Sequence, residues 1–149
     1  ILNTKDYGIP QNRERLFFIG IRKDIDKSYV TPEKKEMNSL DSYIEDKTIC
    51  DLSPNKAGLK IIEKNKLHDT NSLVSCVNFG TFMVNLSPSL TTTHPHYHTK
   101  YNRYLTPREC LNLQGFKDFT QVVSNTQIYR QIGNSMSVNV IKEIITQFI

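Results

Sequence analysis

The stretch DYGIPQNRERLFFIG, residues 6–20, says most about how the chain folds. It opens with a turn, continues through a polar segment that holds Arg13 and Arg15, and ends in aromatic and β-branched residues. A run that is apolar on both faces is typical of a strand buried in a covered sheet. The sequence therefore predicts a buried strand over residues 16–21, with both arginines on one side at its start.

Polar residues dominate the next segment, 24–71. Its clearest periodic signal is the i, i+3, i+4 spacing of Leu40, Tyr43 and Ile44, which predicts a short helix. Residues 51–69 carry only short apolar groups between polar ones. They predict loops with short elements.

The segment that follows alternates between apolar runs and turn residues. Strands are predicted over 73–77, 82–86 and 89–93, with Gly80 in a hairpin turn or bulge. Residues 94–100 have no hydrophobic periodicity, so they predict a surface loop.

The last third of the chain has helical signals. Thr106 and Glu109 have the spacing of a capping box, which begins a helix that Gly115 ends. A second helix is predicted to end at Gly133. A third begins near Ser137 and is strongly amphipathic, so it must pack on another part of the fold.

The composition is that of a folded protein. The 149 residues suffice for one domain with a core, or for one and a half small domains. With 38% hydrophobic and 23% charged residues, disorder throughout is excluded. A net charge of +4 and a pI near 8.9 suit a polyanionic partner such as nucleic acid, although proteins without one can carry as much.

Cysteine usage and hydropathy indicate the compartment. Cys50, Cys76 and Cys110 are odd in number and far apart, which predicts neither a disulfide framework nor a cysteine zinc site. We therefore expect a reducing cytoplasm. The longest apolar stretch, 16–21, is far too short to span a bilayer. Because the chain starts at Ile1, close against a motif, we expect it to be a piece of something longer.

Three segments together resemble the DNA cytosine-5 methyltransferases. Residues 6–20 are similar to that family's Gln-x-Arg-x-Arg motif and the strand after it. RYLTPRECLNLQGFKD, residues 103–118, resembles the next block, and YRQIGNSMSVNVIKEI, residues 129–144, resembles the last, with its Gln-x-Gly-Asn-Ser signature. Order and spacing match, and a variable segment separates the first two blocks. Lys117 departs from the pattern, because the family usually has proline there.

The resemblance implies an α/β fold. Residues 1–23 would end the sheet of a doubly wound S-adenosylmethionine-dependent methyltransferase domain, and 103–149 would be C-terminal helices packing back on it. Residues 24–102 would form an irregular, partly β target recognition domain. The chain would then be the C-terminal fragment of that fold.

The resemblance also assigns chemistry to the first motif. In this family a cysteine attacks C6 of a flipped cytosine, and C5 then takes a methyl group from S-adenosylmethionine. An arginine aimed at the carbonyl O2 stabilises the negative charge that builds on the ring. By resemblance this is Arg15, with Arg13 holding the DNA backbone or neighbouring acidic groups and Gln11 bracing the loop beside DNA. Without the other blocks, Arg13 and Arg15 would be read as solvated charges.

The remaining site residues follow from the same resemblance. Asn134 and Ser135 would meet the amino-acid end of S-adenosylmethionine; they also suit a helix stop followed by an N-cap, and both roles are compatible. A Thr-Leu-Thr-like patch and the histidines after it have groups suited to phosphates or base edges. The residues expected to contact DNA in this patch are Thr91, Thr92, Thr93, His94, His96 and Lys100.

Two alternatives remain for the histidine run, His94, His96 and His98. One is an incidental polar loop. The other is zinc, since the three imidazoles share one face of an extended segment, but no carboxylate or cysteine stands within the run and the family uses no metal. We expect no metal site. Structural roles are assigned to Arg103, Thr106, Arg108, Glu109, Gly115 and Gly133.

What the sequence lacks limits the mechanism. None of the three cysteines follows proline, as the family's nucleophile does, and neither the Glu-Asn-Val motif nor a glycine-rich cofactor loop is present. The chain would therefore bind double-stranded DNA and complete the cofactor pocket, but would need an N-terminal catalytic half. That half would lie on the same polypeptide, which we favour, or on a separate subunit of a split enzyme.

The whole enzyme would methylate cytosine in a short DNA sequence. Members of this family commonly belong to bacterial restriction–modification systems, and we expect the same setting here. Two alternatives stay open. Relatives that methylate transfer RNA share these blocks, and a non-catalytic DNA-binding module could retain the same scaffold.

Overall fold

Short strands and four helices make up the regular structure of the computed structural model, which describes residues 1–25, 27–77 and 80–149. The strands are β1 Leu2–Asn3, β2 Gln11–Asn12, β3 Glu14–Arg15, β4 Ser72–Val74, β5 Phe82–Val84, β6 Ser87–Pro88, β7 Tyr97–His98 and β8 Arg103–Tyr104. The helices are α1 Lys56–Asn65, α2 Pro107–Leu113, α3 Asn125–Asn134 and α4 Val138–Ile145. Two 3-10 turns, Thr4–Asp6 and Leu40–Ser42, accompany them.

Four strands form an antiparallel sheet in the order β5-β4-β7-β8. Val74 is opposite Tyr97, and Tyr97 is opposite Tyr104, so β7 lies in the interior of this sheet. Two smaller pairings involve the first motif. β1 pairs antiparallel with β3, and β2 pairs in parallel with β6. The second pairing brings Gln11 beside Ser87. The first motif therefore lies beside residues 89–100, which we call the threonine-rich segment.

The prediction of loops over 51–69 missed helix α1. The Asn55 side chain caps its N-terminus by accepting a hydrogen bond from the Gly58 amide (2.9 Å), and the helix ends at Lys66 in the left-handed conformation (φ 53°). Its buried residue Ile62 packs in a cluster with Val74 and Tyr97. Charged residues outnumber the large apolar ones in this helix, so its polar sequence resembled a loop although its apolar residues share one face.

The prediction of a buried strand over 16–21 is wrong for the structure described. This segment has no regular secondary structure, and Leu16 and Phe18 are 60% and 91% exposed. Phe17 and Ile19 are half-buried against Val140 and Ile144 in one cluster. A strand needs hydrogen-bond partners, and in the part of the chain that is described no other strand lies beside this segment.

The predicted surface loop over 94–100 is also wrong in its centre. β7 is buried, and His96, His98 and Thr99 are at most 1% exposed. The run has no apolar periodicity because polar side chains fill interior positions of the sheet. The predicted strand over 89–93 is not formed, whereas β4 and β5 pair antiparallel as the hairpin prediction requires. Asn78 and Phe79, part of that expected turn, lie outside the described residues.

The helices of the last third follow the sequence signals with one correction. In the capping box at the start of α2, the Glu109 amide donates to the Thr106 hydroxyl (3.2 Å), and the Thr106 amide donates to the Glu109 carboxylate (2.8 Å). Gly115 ends the helix at φ +89°. Gly133 does not end α3, because it lies inside the helix, one residue before its last position. The expected helix at 40–44 is the 3-10 turn.

The main core lies between α2, α3 and the segments that face them. Leu113, Ile128 and Ile132 are at most 2% exposed within it. The Tyr129 hydroxyl donates to the Leu105 carbonyl (2.8 Å) at its edge. In the described residues, no helix has the length and apolarity that crossing a membrane requires.

Candidate functional site

Arg13 lies at the centre of the site and is only 4% exposed. Its Nη1 donates to the Ser89 hydroxyl (3.1 Å) and the Leu90 carbonyl (3.0 Å). Its Nη2 donates to the carbonyls of Gly133 (2.9 Å) and Ser135 (2.7 Å). One guanidinium therefore joins the first motif, the threonine-rich segment and the junction between α3 and α4.

This position corrects the role expected for Arg13. Its hydrogen bonds go to groups of the protein, so its guanidinium is turned inward and not toward a DNA backbone, and among the described residues it pairs with no acidic group. Burial, and secondarily the charge of Arg15, lower its pKa to about 10. Arg13 therefore stays charged at neutral pH and acts as a clamp.

Gln11 is also internal, with no exposed surface. Its side-chain amide donates to the Leu113 carbonyl (2.7 Å), and its side-chain oxygen accepts from the Leu90 amide (3.3 Å). The prediction that Gln11 contacts DNA is wrong, because both ends of the amide are bound inside the fold. Gln11 braces the loop against α2.

Arg15, two positions after Arg13, has the opposite environment. Its side chain is exposed, and it donates to its neighbour's carbonyl, that of Glu14 (2.6 Å), and to the Ser89 hydroxyl (3.4 Å). A permanently charged, planar donor thus projects from a segment that the Arg13 clamp holds in place.

The threonine-rich segment divides into an exposed and a buried part. Thr92, Thr93 and His94 are exposed, and the half-buried Thr91 donates to the His94 carbonyl (3.3 Å). These are short polar groups on a surface, the kind that bind phosphates and base edges. Lys100 is exposed as well, with its Nζ 5.4 Å from the centre of the Tyr101 ring.

His96 does not belong to the exposed part. It has no exposed surface, and its Nε2 contacts the Pro88 carbonyl (3.1 Å). Burial lowers the pKa of His96 to about 4, so the ring is neutral. The prediction that His96 contacts DNA is therefore wrong. His98 is equally buried, and in the described part of the chain no group of three His, Cys, Asp or Glu residues could hold a metal ion.

The junction between α3 and α4 holds the residues expected to meet the cofactor. Asn134 is exposed, and its side chain has no hydrogen bond within the described structure. The Ser135 hydroxyl donates to the Ile132 carbonyl (2.7 Å), which leaves its oxygen free to accept. An amide and a hydroxyl of this kind fit the ammonium and carboxylate groups of an amino acid. Their contact with the cofactor stays a prediction.

The residues expected to be structural include a buried ion pair. Arg103 donates to both carboxylate oxygens of Glu109 (2.8 and 3.0 Å), and their side chains are 5% and 0% exposed. Glu109 also closes the capping box with Thr106, so one carboxylate ties β8 to α2. Arg108 is more exposed and donates to the Phe119 carbonyl (3.0 Å).

The sequence analysis missed a network of polar side chains that links the last motif to the first. The Gln114 side chain donates to the Ile132 carbonyl (3.0 Å) and accepts from the Ser137 hydroxyl (3.1 Å). Ser137 also shares a 2.6 Å hydrogen bond with Thr4. Asn139 donates to the Tyr7 carbonyl (2.7 Å). Polar residues inside an apolar helical pattern were the signal that could have revealed these hydrogen bonds.

Two of the three cysteines, Cys76 and Cys110, have environments unsuited to nucleophilic catalysis. Burial raises the pKa of Cys110, which is 1% exposed, and that of Cys76, which is 4% exposed. The thiolate is the nucleophilic form, so neither side chain has the character of an attacking group.

The fold is that of a methyltransferase. The solved structure of a methyltransferase from Entamoeba histolytica, EhMeth, superposes with a TM-score of 0.57 at 19% identity, over 98% of this chain and 51% of that one. The mixed helices and strands described above are consistent with a fragment of the S-adenosylmethionine-dependent methyltransferase fold.

Sequence comparison specifies the family. The family model "C-5 cytosine-specific DNA methylase" matches residues 1–149, and the chain belongs to this family. It is 32% identical over 165 residues to the type II methyltransferase M.NlaX of Neisseria lactamica, covering 99% of this chain and 50% of that protein. It is 33% identical over 170 residues to M.SsoII of Shigella sonnei, covering 100% and 43%. The chain thus spans about half the length of these relatives.

Proposed function

We propose that this chain is the C-terminal half of an enzyme that transfers a methyl group from S-adenosylmethionine to C5 of cytosine in a specific DNA sequence. The observation that carries the proposal is the Arg13 clamp. One buried guanidinium binds the segments that carry Arg15, the exposed threonines and Asn134. A group for the base, a surface for DNA and an edge for the cofactor are thereby fixed relative to one another.

Arg15 is the residue proposed to act on the base. Attack at C6 places negative charge on the pyrimidine ring, and a guanidinium aimed at O2 stabilises that charge without any proton transfer. The contrast with Arg13 supports this assignment, since Arg13 is internally bound whereas Arg15 is exposed and free to meet a substrate.

The DNA surface is proposed to comprise Thr92, Thr93, His94 and Lys100, with Thr91 at its edge. Hydroxyls and a lysine position a phosphate backbone, and the net charge of +4 favours a polyanion. In keeping with this role, residues 24–102 form the proposed target recognition domain. The sheet β5-β4-β7-β8 lies mostly within it and extends to Tyr104, one element beyond the boundary expected from the sequence.

The cofactor edge is proposed to be Asn134 and Ser135. When bound, S-adenosylmethionine supplies the electrophilic methyl group. The Asn134 amide and the Ser135 hydroxyl would orient its amino-acid end, and the Arg13 hydrogen bonds to the carbonyls of Gly133 and Ser135 hold this turn in place.

The attacking thiolate is proposed to come from an N-terminal half, since the buried Cys76 and Cys110 have raised pKa values. The relatives are type II methyltransferases about twice as long, which supports both this division and a role in restriction–modification. Residues 1–23 and 103–149 would pack on that half. Leu16 and Phe18, exposed here, are suited to that contact.

The test is methyl transfer by the full-length enzyme to cytosine-containing DNA and to transfer RNA. We expect transfer to DNA, and a strong loss in Arg15→Ala, of roughly a hundredfold or more in rate. Arg22→Ala is the matched control, since the Arg22 side chain is 78% exposed and forms an exposed ion pair with Asp24.

Three outcomes would contradict the proposal. An unchanged rate in Arg15→Ala would remove the role of that residue. Transfer to RNA alone would change the substrate. DNA binding by this chain with no activity after addition of the N-terminal half would indicate a non-catalytic module.

A further inference from the structure

Ser89 lies directly after β6 and receives hydrogen bonds from both arginines of the first motif. Its hydroxyl oxygen accepts from Arg13 Nη1 at 3.1 Å and from Arg15 Nη2 at 3.4 Å. A serine oxygen has two acceptor lone pairs, so one side chain can serve both guanidinium groups. Ser89 opens the Thr-Leu-Thr-like patch, whose hydroxyls the resemblance assigned to phosphates or base edges and not to the arginines.

The two arginines differ in how firmly they are held. Arg13 is anchored by three backbone carbonyls in addition to Ser89. Arg15 donates otherwise only to the carbonyl of its neighbour Glu14, within the described structure. A bond to the adjacent residue leaves the rest of a long side chain free to rotate. The Ser89 contact is therefore what ties the Arg15 guanidinium to a separate, fixed part of the fold.

Ser89 is itself held in place by the fold, so it can fix the position of a side chain that binds to it. Its neighbour Leu90 is held at both backbone polar groups, because its carbonyl accepts from Arg13 and its amide donates to Gln11. The hydroxyl also lies between two like charges that repel each other. An oxygen that accepts from both offsets part of this repulsion.

We propose that Ser89 is a positioning residue that fixes the direction of the Arg15 guanidinium toward the O2 atom of the extruded cytosine. This inference rests on the proposed function, in which Arg15 stabilises charge on the pyrimidine. Ser89 does not touch the base itself. It raises the fraction of enzyme in which the guanidinium is already aimed when attack begins.

The test compares Ser89→Ala and Ser89→Thr in the full-length methyltransferase. In single-turnover reactions at saturating DNA, Ser89→Ala should lower the rate about tenfold, because the charge-assisted hydrogen bond that orients Arg15 is lost, while Arg13 keeps its three backbone carbonyl acceptors. The KM for DNA should stay within about twofold, since the proposed DNA surface of Thr92, Thr93, His94 and Lys100 is unchanged. Ser89→Thr keeps the hydroxyl and should retain most of the rate. Ser39→Ala is the control, because Ser39 is exposed and its side chain makes no capping bond.

A double variant separates positioning from structural support. If Ser89 acts through Arg15, adding Ser89→Ala to Arg15→Ala should cause no further loss of rate. An additional tenfold loss in that background would overturn the inference and leave the proposed function intact, as would an equal loss in Ser89→Thr. An unchanged rate in Arg15→Ala alone would overturn both. A fall in unfolding midpoint that accounts for the Ser89→Ala loss would likewise overturn the inference.

Discussion

Gly133 approaches the backbone of Thr91 so closely that a β-carbon at position 133 would lie 2.4 Å from the Thr91 carbonyl carbon. The end of α3 therefore packs directly on the start of the threonine-rich segment, with no side chain between them. This contact and the Arg13 clamp join the same two segments. The proposed cofactor edge and DNA surface are thus in direct backbone contact.

We predict that Gly133→Ala separates these segments and destabilises the protein by about 2 kcal/mol, because the added methyl group meets backbone that cannot rotate away. Urea denaturation would measure the loss. Gly20→Ala is the matched control, since nothing lies within 4 Å of a β-carbon there, and it should change stability by less than about 0.5 kcal/mol. Equal effects of the two changes would contradict the packing described.

A second prediction concerns Arg13→Lys. A lysine ammonium has three donors at one point, so it cannot reach the acceptors on both sides that the planar guanidinium bridges. Buried carbonyls would lose their partners, and we expect a loss of about 2–3 kcal/mol in the free energy of unfolding. Arg22→Lys, at an exposed arginine, should be nearly neutral. A neutral Arg13→Lys would show that the clamp does not hold the segments together.

These predictions depend on contacts that local sequence patterns do not encode. The motif spacing correctly indicated the family and the capping box at Thr106, because both are written in consecutive residues. It could not show which of Arg13 and Arg15 is buried. That depends on Leu90 and Gly133, which lie 77 and 120 positions from Arg13 along the chain.

The errors have the same physical origin. His96 was expected at a surface because it is polar, yet it fills an interior position with its Nε2 against the Pro88 carbonyl. The apolar run 16–21 was expected in a sheet, but a strand depends on partners, and none lies beside it in the described chain. Polarity and periodicity report local preference, whereas the burial of a residue depends on which distant segments of the chain pack against it.

A third prediction addresses the Arg103–Glu109 pair. Glu109→Gln would leave the buried Arg103 charge without its carboxylate and weaken the α2 cap, so we expect a loss of about 3–5 kcal/mol in stability. Asp24→Asn breaks an exposed pair and should cost no more than about 1 kcal/mol. Thermal denaturation of both variants provides the comparison. A small effect at Glu109 would mean that water reaches the pair.

The last prediction is that acid weakens the fold through two buried histidines. Burial lowers the pKa of His96 and of His98 to about 4, and the nearby Arg103 charge adds to the effect on His98 while Asp41 opposes it. An unfolded histidine has a pKa of about 6.5, so between these values the unfolded chain binds the extra protons. The stabilisation is therefore complete above about pH 6.5 and is lost as the pH falls toward 4, by up to about 1.4 kcal/mol per pH unit for each ring. Urea denaturation between these limits should show a shallower slope in His96→Gln than in the parent protein. Parallel slopes would mean that His96 is accessible to protons in the folded state.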